Sequence, residues 1–301
     1  MRQKHGQNFL IDNNIANNII KAASLSPQDE VLEIGPGKGI LTKLIQPQVK
    51  HLTAVEIDPV LAQQLKHYFS FHNINNVEIV NEDFLKLQFG VWGLEFEVNG
   101  EKGHCAPPAL PAKQSGVVAV NSTPHTSHSN LSKLPFKVIS NLPYNVGTAI
   151  IQKILPLPNW TQCVFMLQKE VIHRLAAKQG SGDYGYISIF TQYYADCEIL
   201  FDVSPKCFNP PPKVTSSVIK LTNKNPQTPD PLFFESVKRS FSMRRKTILN
   251  CLASFKNLEK SQANKILITC GLDPFLRPDK LSISDYLRLT SEIKKCIILQ
   301  S

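Results

Sequence analysis

Near its start, the chain carries a short apolar run that ends in a glycine-rich turn. Residues 31–39 read V-L-E-I-G-P-G-K-G, and a stretch with helical spacing follows to about residue 46. Glycines let the backbone turn sharply and approach a ligand without a side-chain clash. A strand, a glycine turn and a helix in this order predict the first unit of an α/β fold that binds a ligand at the turn.

The spacing of these glycines narrows the kind of ligand. Gly35, Gly37 and Gly39 form G-x-G-x-G, and position 40 is Ile. Turns that bind nicotinamide or flavin cofactors follow G-x-G-x-x-G, in which the third glycine packs helix against strand. The turn therefore indicates a nucleotide-like ligand and disfavours those two cofactor classes.

Apolar runs recur along the first two thirds of the chain and alternate with stretches of helical spacing. We predict buried strands at 31–35, 51–58, 77–80, 136–141 and 161–167, and helices at 14–23 and 59–69. Strands that alternate with helices predict an α/β fold with a parallel, doubly wound sheet. The apolar-polar alternation over 213–221 predicts an additional antiparallel strand.

The pattern changes near residues 222–229, a polar stretch with two prolines. Beyond this stretch the apolar periodicity is helical only, with a loop at 271–280. We predict an α/β domain over 1–222 and a small all-helical domain over 223–301.

A segment that lacks the alternation of apolar runs and helical stretches interrupts the first domain at about 89–134. It is rich in Pro, Ser, Thr, His and Asn, and no acidic residue occurs between Glu101 and Glu170. We interpret it as a surface insertion that the fold tolerates, because structureless stretches of this length are uncommon inside compact domains. The histidines at 104, 125 and 128 match no familiar ligand spacing, so we predict no metal site.

Charge and cysteine content narrow the class of protein further. Lys and Arg total 33 against 24 for Asp and Glu, a net charge of +9. This excess favours a polyanionic partner, either nucleic acid or an anionic membrane surface. No apolar run reaches the roughly 18–20 residues of a membrane span. The seven cysteines include no C-x-x-C pair, which argues against a disulfide framework or zinc site and favours a cytoplasmic protein.

Acidic residues end the next two predicted strands. Glu56 lies 21 residues after Gly35, a suitable distance for a carboxylate that accepts both hydroxyls of a ribose, and Asp83 can accept from an adenine amino group. Because the carboxyl ends of parallel strands share one edge of the sheet, we predict S-adenosylmethionine as the cofactor. The alternative role of helix N-capping fits Asp83 better than Glu56.

The fourth predicted strand ends in N-L-P-Y, residues Asn141, Leu142, Pro143 and Tyr144. The exocyclic amine of adenine is a poor nucleophile because its lone pair is delocalised into the ring. The Asn141 side chain and the carbonyl before Pro143 can accept the two amine hydrogens and localise that lone pair, while Tyr144 can stack on an extruded base. Methyl transfer then requires positioning and electrostatics rather than a strong base. The alternative is an ordinary strand-ending turn.

Together with these motifs, several others make the chain resemble the ribosomal RNA adenine dimethyltransferases, in their small-subunit branch. The similarity covers nearly all of the chain outside about 89–134. It is carried by K-H-G-Q-N-F-L (4–10), L-E-I-G-P-G (32–37), V-E-I-D (55–58), S-N-L-P-Y-N (140–145), F-N-P-P-P-K-V (208–214) and F-S-M-R-R-K-T-I-L (241–249).

The resemblance implies a Rossmann-like class I methyltransferase that dimethylates adenine N6 in small-subunit ribosomal RNA. The implied substrate is two adjacent adenines in a hairpin near the 3′ end, within a pre-assembled small subunit, and we expect a monomeric enzyme. Tyr144 and Phe208 would sandwich the target adenine. The implied cofactor contacts are Asn8 and Leu10 at the methionine end, and Gly35, Gly37, Glu56, Asp83 and Asn141 along the rest.

Residues 232–252 have helical spacing and a concentration of positive charge. The basic residues are Lys238, Arg239, Arg244, Arg245 and Lys246, against a single acid, Glu235. We predict that this segment contacts RNA phosphates. Two alternatives are a solvated helix face and a structural role in which Arg244, Arg245 and Lys246 pair with acids of the first domain.

Three other functions fit the sequence less well than the methylation of small-subunit ribosomal RNA. Large-subunit resistance methylases tend to carry Ile in the N-x-P-Y motif, so Leu142 and the prolines at 210–212 favour the small-subunit branch. DNA adenine methylases usually begin that motif with Asp. A non-catalytic RNA-binding factor would not need the glycine turn with Glu56, Asp83 and Asn141.

Overall fold

The computed structural model describes residues 8–90, 93–97, 135–253 and 255–298. Most of the predicted insertion, including its histidines, lies outside these ranges, as do the first four residues of the K-H-G-Q-N-F-L motif. The strands are β1 (Phe9–Leu10), β2 (Glu30–Ile34), β3 (His51–Glu56), β4 (Val77–Asn81), β5 (Gln88–Gly90), β6 (Gly93–Glu97), β7 (Phe136–Asn141), β8 (Trp160–Gln168), β9 (Ala195–Val203), β10 (Phe208–Asn209) and β11 (Ser216–Asn223). The α-helices are α1 (Asn13–Ala23), α2 (Ile40–Ile45), α3 (Pro59–Phe71), α4 (Gly147–Ile154), α5 (Lys169–Leu175), α6 (Tyr186–Tyr194), α7 (Pro231–Ser242), α8 (Ile248–Leu252), α9 (Lys260–Thr269) and α10 (Ile283–Ile298).

A seven-stranded sheet organises the first part of the chain, in the order β4-β3-β2-β7-β8-β11-β9. The first five strands of that order are parallel, and β11 is antiparallel to both of its neighbours. The predicted α/β doubly wound fold is confirmed, with its added antiparallel strand. The edge strand β9 was not predicted, because Asp196, Glu198 and Asp202 interrupt its apolar residues.

Helices cover both faces of this sheet, which explains the nearly continuous apolar strands. On β7, Val138 packs in the core shared with α4 and α6, and the next residue, Ile139, packs in the core shared with α1 and α2. Phe165 and Val164 divide in the same way on β8. Consecutive strand residues point to opposite faces, so both must be apolar when both faces are buried.

The carboxyl-terminal helices α7–α10 enclose a second hydrophobic core. Its buried members include Phe233, Val237, Leu267, Tyr286 and Leu289. The same core takes in side chains from before the predicted boundary, namely Ala177, Tyr184 and Ile189. Residues 224–230 carry no helix or strand. The two halves are therefore joined by a shared core as well as by this connecting stretch, and none of the described helices is long and apolar enough to cross a membrane.

The segment 232–252, which has helical spacing in the sequence, is interrupted in its middle. Helix α7 ends at Ser242, and α8 begins after Thr247, whose hydroxyl accepts from the backbone N–H of Asn250 at 3.4 Å. Ser242 donates its hydroxyl to the Arg239 carbonyl, a bond that competes with continued helix. The apolar spacing persists across the break, so periodicity alone could not reveal it.

Two short ladders lie outside the main sheet. Strands β5 and β6 form an antiparallel pair at the start of the predicted insertion. Strand β1 pairs with β10 in antiparallel fashion, Phe9 opposite Asn209 and Leu10 opposite Phe208. Neither ladder was predicted, because strands of two to five residues give no usable periodicity. The β1–β10 pairing brings the amino-terminal segment to the carboxyl edge of the main sheet.

Candidate cofactor groove and catalytic turn

The glycine turn between β2 and α2 depends on the absence of side chains. Gly37 has φ of +58°, and a Cβ there would lie 3.1 Å from the Phe9 ring. Gly39 has φ of +80°, and a Cβ would lie 2.6 Å from Leu65 Cδ2 of α3. The turn is therefore fixed both by backbone conformation and by packing against β1 and α3.

Glu56, at the end of β3, holds this turn through its carboxylate. The side chain is buried, with Oε2 accepting from the Gly37 N–H at 2.9 Å and Oε1 accepting from the Asp58 N–H at 2.9 Å. Burial raises the pKa of Glu56, and the two backbone hydrogen bonds partly offset that rise. Each carboxylate oxygen has a second lone pair, so Glu56 can also accept from ligand hydroxyls.

Glu33 is a second acid at this site, and sequence reasoning missed it. Glu33 lies on β2 and lines a cleft that Glu56 also lines. Its Oε2 is buried without a hydrogen-bond partner among the described residues. Burial raises the pKa of Glu33 to about 8, and the neighbouring Glu56 adds to the rise. The available signal was an acid inside an apolar strand, directly before the glycine turn.

The cleft extends along the carboxyl edge of the sheet as two adjoining cavities. The first comprises about 740 Å³ of space and the second about 670 Å³, including space open to solvent. Gly35, Ile57 and Pro143 line both, so the two form one groove. Of the predicted cofactor residues, the first cavity brings together Asn8, Leu10, Gly35, Gly37, Glu56 and Asn141, and the second contains Asp83.

Asp83 caps a turn and not a helix, so the helix N-capping alternative from the sequence is wrong within the described residues. Its Oδ1 accepts from the Leu85 N–H at 3.0 Å. The ammonium of Lys153 on α4 fixes the same loop by donating to the carbonyls of Leu85, at 2.7 Å, and Leu87. Asp83 thus faces the second cavity from an anchored loop.

The N-L-P-Y residues lie at the first cavity, beside the glycine turn. Leu142 is buried, whereas Asn141, Pro143 and Tyr144 are half-buried. Asn141 Nδ2 donates to the Asn8 carbonyl at 3.5 Å, which turns Oδ1 to the opposite side of the amide. The Tyr144 hydroxyl lies 2.6 Å from Ser216 Oγ on β11. Burial raises the pKa of Tyr144, so its hydroxyl stays protonated at neutral pH.

Phe208 is not brought to the groove in this structure. It is 3% exposed and packs in the core beneath β1, with Leu10 and Val218. It is not among the lining residues of either cavity of the groove. Its backbone pairs with that of Leu10, so Phe208 contacts the site through β1.

The five predicted RNA-binding residues lie on α7 and the following turn. Arg239 is half-buried, and Lys238, Arg244, Arg245 and Lys246 are exposed. Arg244 donates to the backbone carbonyls of Ser181, at 3.4 Å, and Gly182, and so ties the turn to the first half of the chain. Within the described residues no acid pairs with the turn at 244–246, so the predicted alternative of pairing with acids is not found there. Arg244 has a structural contact of another kind, with backbone carbonyls.

The sheet order, the glycine turn and the strand-end groove together define a class I methyltransferase fold. A dimethyladenosine transferase from Plasmodium falciparum has a similar fold, with a TM-score of 0.74 and 23% identity over 95% of this chain and 98% of that one. The 23S rRNA methyltransferase ErmE gives a TM-score of 0.60 and 24% identity over 95% of this chain and all of that one. These likenesses establish the Rossmann-like fold.

The sequence comparisons identify the family. The model of the ribosomal RNA adenine dimethylase family matches residues 1–295, and the chain belongs to this family. Ribosomal RNA small subunit methyltransferase A of Alkaliphilus oremlandii is 38% identical over 96% of this chain and 91% of its own length. The protein of that name from Clostridium botulinum is 35% identical over 95% and 91%. The predicted family and the predicted class of enzyme, a methyltransferase that modifies ribosomal RNA, are confirmed.

Proposed function

We propose that the chain transfers methyl groups from S-adenosylmethionine to the N6 amines of two adjacent adenines near the 3′ end of small-subunit ribosomal RNA. The proposed substrate is a hairpin within a pre-assembled small subunit, and the enzyme acts as a monomer in the cytoplasm. The observation that carries this proposal is the position of Asn141 and Tyr144 on the groove that also contains Glu56.

The groove suits S-adenosylmethionine in shape and charge. Glu56 lies at the first cavity, where its carboxylate favours a ligand that carries ammonium and sulfonium charges, and Glu33 lines the same cavity. Glu56 would hold the ribose and Asp83 the adenine of the cofactor. Asn8, Leu10 and the turn at Gly35 and Gly37 would enclose its methionine end. When bound, this cofactor supplies an electrophilic methyl group.

Asn141 prepares the nucleophile. Its amide nitrogen donates to Asn8, so its oxygen is free to accept a hydrogen from an adenine amine in the groove. The carbonyl of Leu142 would accept the second hydrogen, and Pro143 after it fixes the backbone. Both acceptors keep the lone pair on nitrogen and direct it towards the cofactor. No general base is required, because the amine loses a proton readily after alkylation.

Tyr144 offers a ring face for the extruded adenine, and Ser216 holds that ring by its hydroxyl. Phe208 supports the site from behind β1, where its pairing with Leu10 holds the amino-terminal segment over the groove. Outside the groove, the exposed cations Lys238, Arg245 and Lys246 would bind phosphates of the folded RNA.

The experiment is methyl transfer from radiolabelled cofactor to small subunits that lack this modification, compared with large subunits and duplex DNA. We expect label only in small-subunit RNA, at a limit of four methyl groups per particle for two dimethylated adenines. Label confined to large subunits would assign the chain to the resistance methylases instead. Label in isolated RNA, equal to that in small subunits, would remove the requirement for a pre-assembled particle.

A further inference from the structure

Two turns of the carboxyl-terminal half are held side by side by backbone hydrogen bonds. The Ile248 N–H, directly after the basic turn 243–247, donates to the Leu276 carbonyl at 2.7 Å. The Leu249 N–H donates to the Pro274 carbonyl at 3.2 Å. The segment 273–277 is therefore anchored next to Arg245 and Lys246 and belongs to the same surface.

Phe275, in this second turn, is the most exposed of the large apolar residues that the structure describes, at 77%. Its backbone is fixed all the same. The Asp273 carboxylate accepts from the Phe275 N–H at 2.9 Å, and the Leu276 N–H donates to the Asp273 carbonyl at 3.1 Å. Leu272 and Pro278, on either side, are buried. A rigid turn thus presents an aromatic ring to solvent, where it contributes nothing to the core.

Exposed cations stand on both of the turns that these backbone hydrogen bonds join. Arg277 is exposed two residues after Phe275, and the side chains of Arg245, Lys246 and Arg277 form no hydrogen bond or ion pair with any described residue. The two nearby acids are engaged locally, Asp273 in the turn and Asp279 3.8 Å from Lys280. Unpaired cations on the same pair of turns as an exposed ring fit a polyanion whose bases are free to stack.

We propose that Phe275 is a stacking site for an unpaired base of bound RNA, with Arg245, Lys246 and Arg277 holding the phosphates on either side. The occupant is single-stranded or loop RNA, because the bases of a duplex are stacked on each other and offer no free face. This inference rests on the proposed function for the identity of the polyanion, and it adds a base-contacting residue remote from the groove.

The test measures binding of the full-length protein to a 12-nucleotide single-stranded RNA that contains 2-aminopurine, and to the same strand in a duplex. Phe275→Ala should weaken binding to the single strand about tenfold, in keeping with the loss of one base-aromatic stack, and should abolish the quenching of 2-aminopurine fluorescence. Phe275→Trp should keep both, and Phe275→Leu should behave as Ala. Duplex binding should not change. The matched control is Phe71→Ala, since Phe71 is 74% exposed at the end of α3.

The proposal is overturned if Phe275→Leu binds as the parent does, because a simple apolar contact would then suffice, as in a protein interface. Equal losses for Phe275→Ala and Phe71→Ala, equal losses on duplex and single strand, or no binding of the single strand by the parent protein would also overturn it. Methyl transfer by the parent protein to small subunits is measured in parallel. Its failure would reject the proposed function, whereas unchanged binding by Phe275→Ala with active parent enzyme would reject only the stacking site.

Discussion

The proposed cofactor groove and the proposed RNA-binding surface, called the basic surface here and formed by residues 238–247 and 273–277, are built on opposite physical principles. In the groove, the polar groups are buried or half-buried and held by backbone hydrogen bonds, as Glu56 is by Gly37 and Asp58. On the basic surface, Arg245 and Lys246 are exposed and free of partners among the described residues. Preorganised groups in a dry site act strongly on a few atoms, whereas exposed charges act weakly, additively and in a salt-dependent way. Substitutions can test whether a residue acts as a preorganised group of the groove or as an exposed charge of the surface.

The largest effect should come from Asn141. Replacing it by Ala removes an acceptor that acts as the adenine amine becomes a nucleophile, so methyl transfer should fall by about 10²–10³. Affinity for small subunits should change little. Single-turnover transfer and filter binding on the same variant check this, with the exposed Asn75→Ala as control. A parallel loss of subunit affinity would place Asn141 in RNA binding instead.

The second effect concerns Glu33 and pH. Its pKa is 4.5 in the unfolded chain and about 8 in the folded protein, so the folded state binds more protons between these values. The stability that Glu33 contributes is complete below pH 4.5 and is lost as pH rises through 8. Glu33→Gln stays neutral at every pH. As pH rises from 5 to 8, the free energy of unfolding of the parent should therefore fall by about 2–4 kcal/mol relative to that of Glu33→Gln.

Urea unfolding at several pH values measures this difference, with the exposed Glu170→Gln as the matched control. Parallel stability curves for the parent and Glu33→Gln would contradict the assignment of a neutral Glu33 in the groove.

Glu56→Ala should have the next largest effect. Loss of its hydrogen bonds to a ribose should weaken cofactor binding by about 1–3 kcal/mol. Titration calorimetry measures the affinity, and thermal melting shows whether the turn at Gly37 survives. An unchanged cofactor affinity in a folded variant would remove Glu56 from the ligand contacts.

Arg244 and Arg245 are adjacent in sequence, yet they should respond differently. Arg245→Ala with Lys246→Ala should lower the slope of log affinity against log salt by about one unit per residue, because fewer counterions are released, and leave the melting temperature unchanged. Arg244→Ala should lower the melting temperature, since it loses the Ser181 and Gly182 carbonyls, at a cost of about 1 kcal/mol for exposed bonds. Identical behaviour of the two variants would erase this distinction.

The smallest effect is expected for the bond between Tyr144 and Ser216. Tyr144→Phe and Ser216→Ala should each lower methyl transfer about threefold to tenfold, as one hydrogen bond is lost. The double variant should be no worse than either single variant, because both remove the same bond. The control is Ser217→Ala, which loses its hydrogen bond to Asp202 on the neighbouring strand β9. Additive losses would mean that the two residues act separately.

Sequence patterns predicted the parts of the fold that rest on local regularity. The parallel strands follow from continuous apolar runs. The glycine turn follows from the positive φ angles of Gly37 and Gly39, which favour glycine. Strand β9, the break after Ser242 and the burial of Phe208 depend on neighbours far away in sequence, which periodicity does not report. Among site residues, Glu56 and Asn141 stand at strand ends, where motifs reveal them. The hydroxyl partner of Tyr144 lies 72 positions away and needed the structure.

The ladder between β1 and β10 has a consequence for how the protein becomes active during synthesis. Phe9 pairs with Asn209, so two segments 200 positions apart must meet before the amino-terminal segment is fixed over the groove. Closing so long a loop costs chain entropy that only the folded sheet between them can reduce. A nascent chain shorter than about 209 residues can build the glycine turn and the first parallel strands, but not the roof of the groove. The cover of the groove is therefore completed late, only after the tenth strand has left the ribosome that is making it.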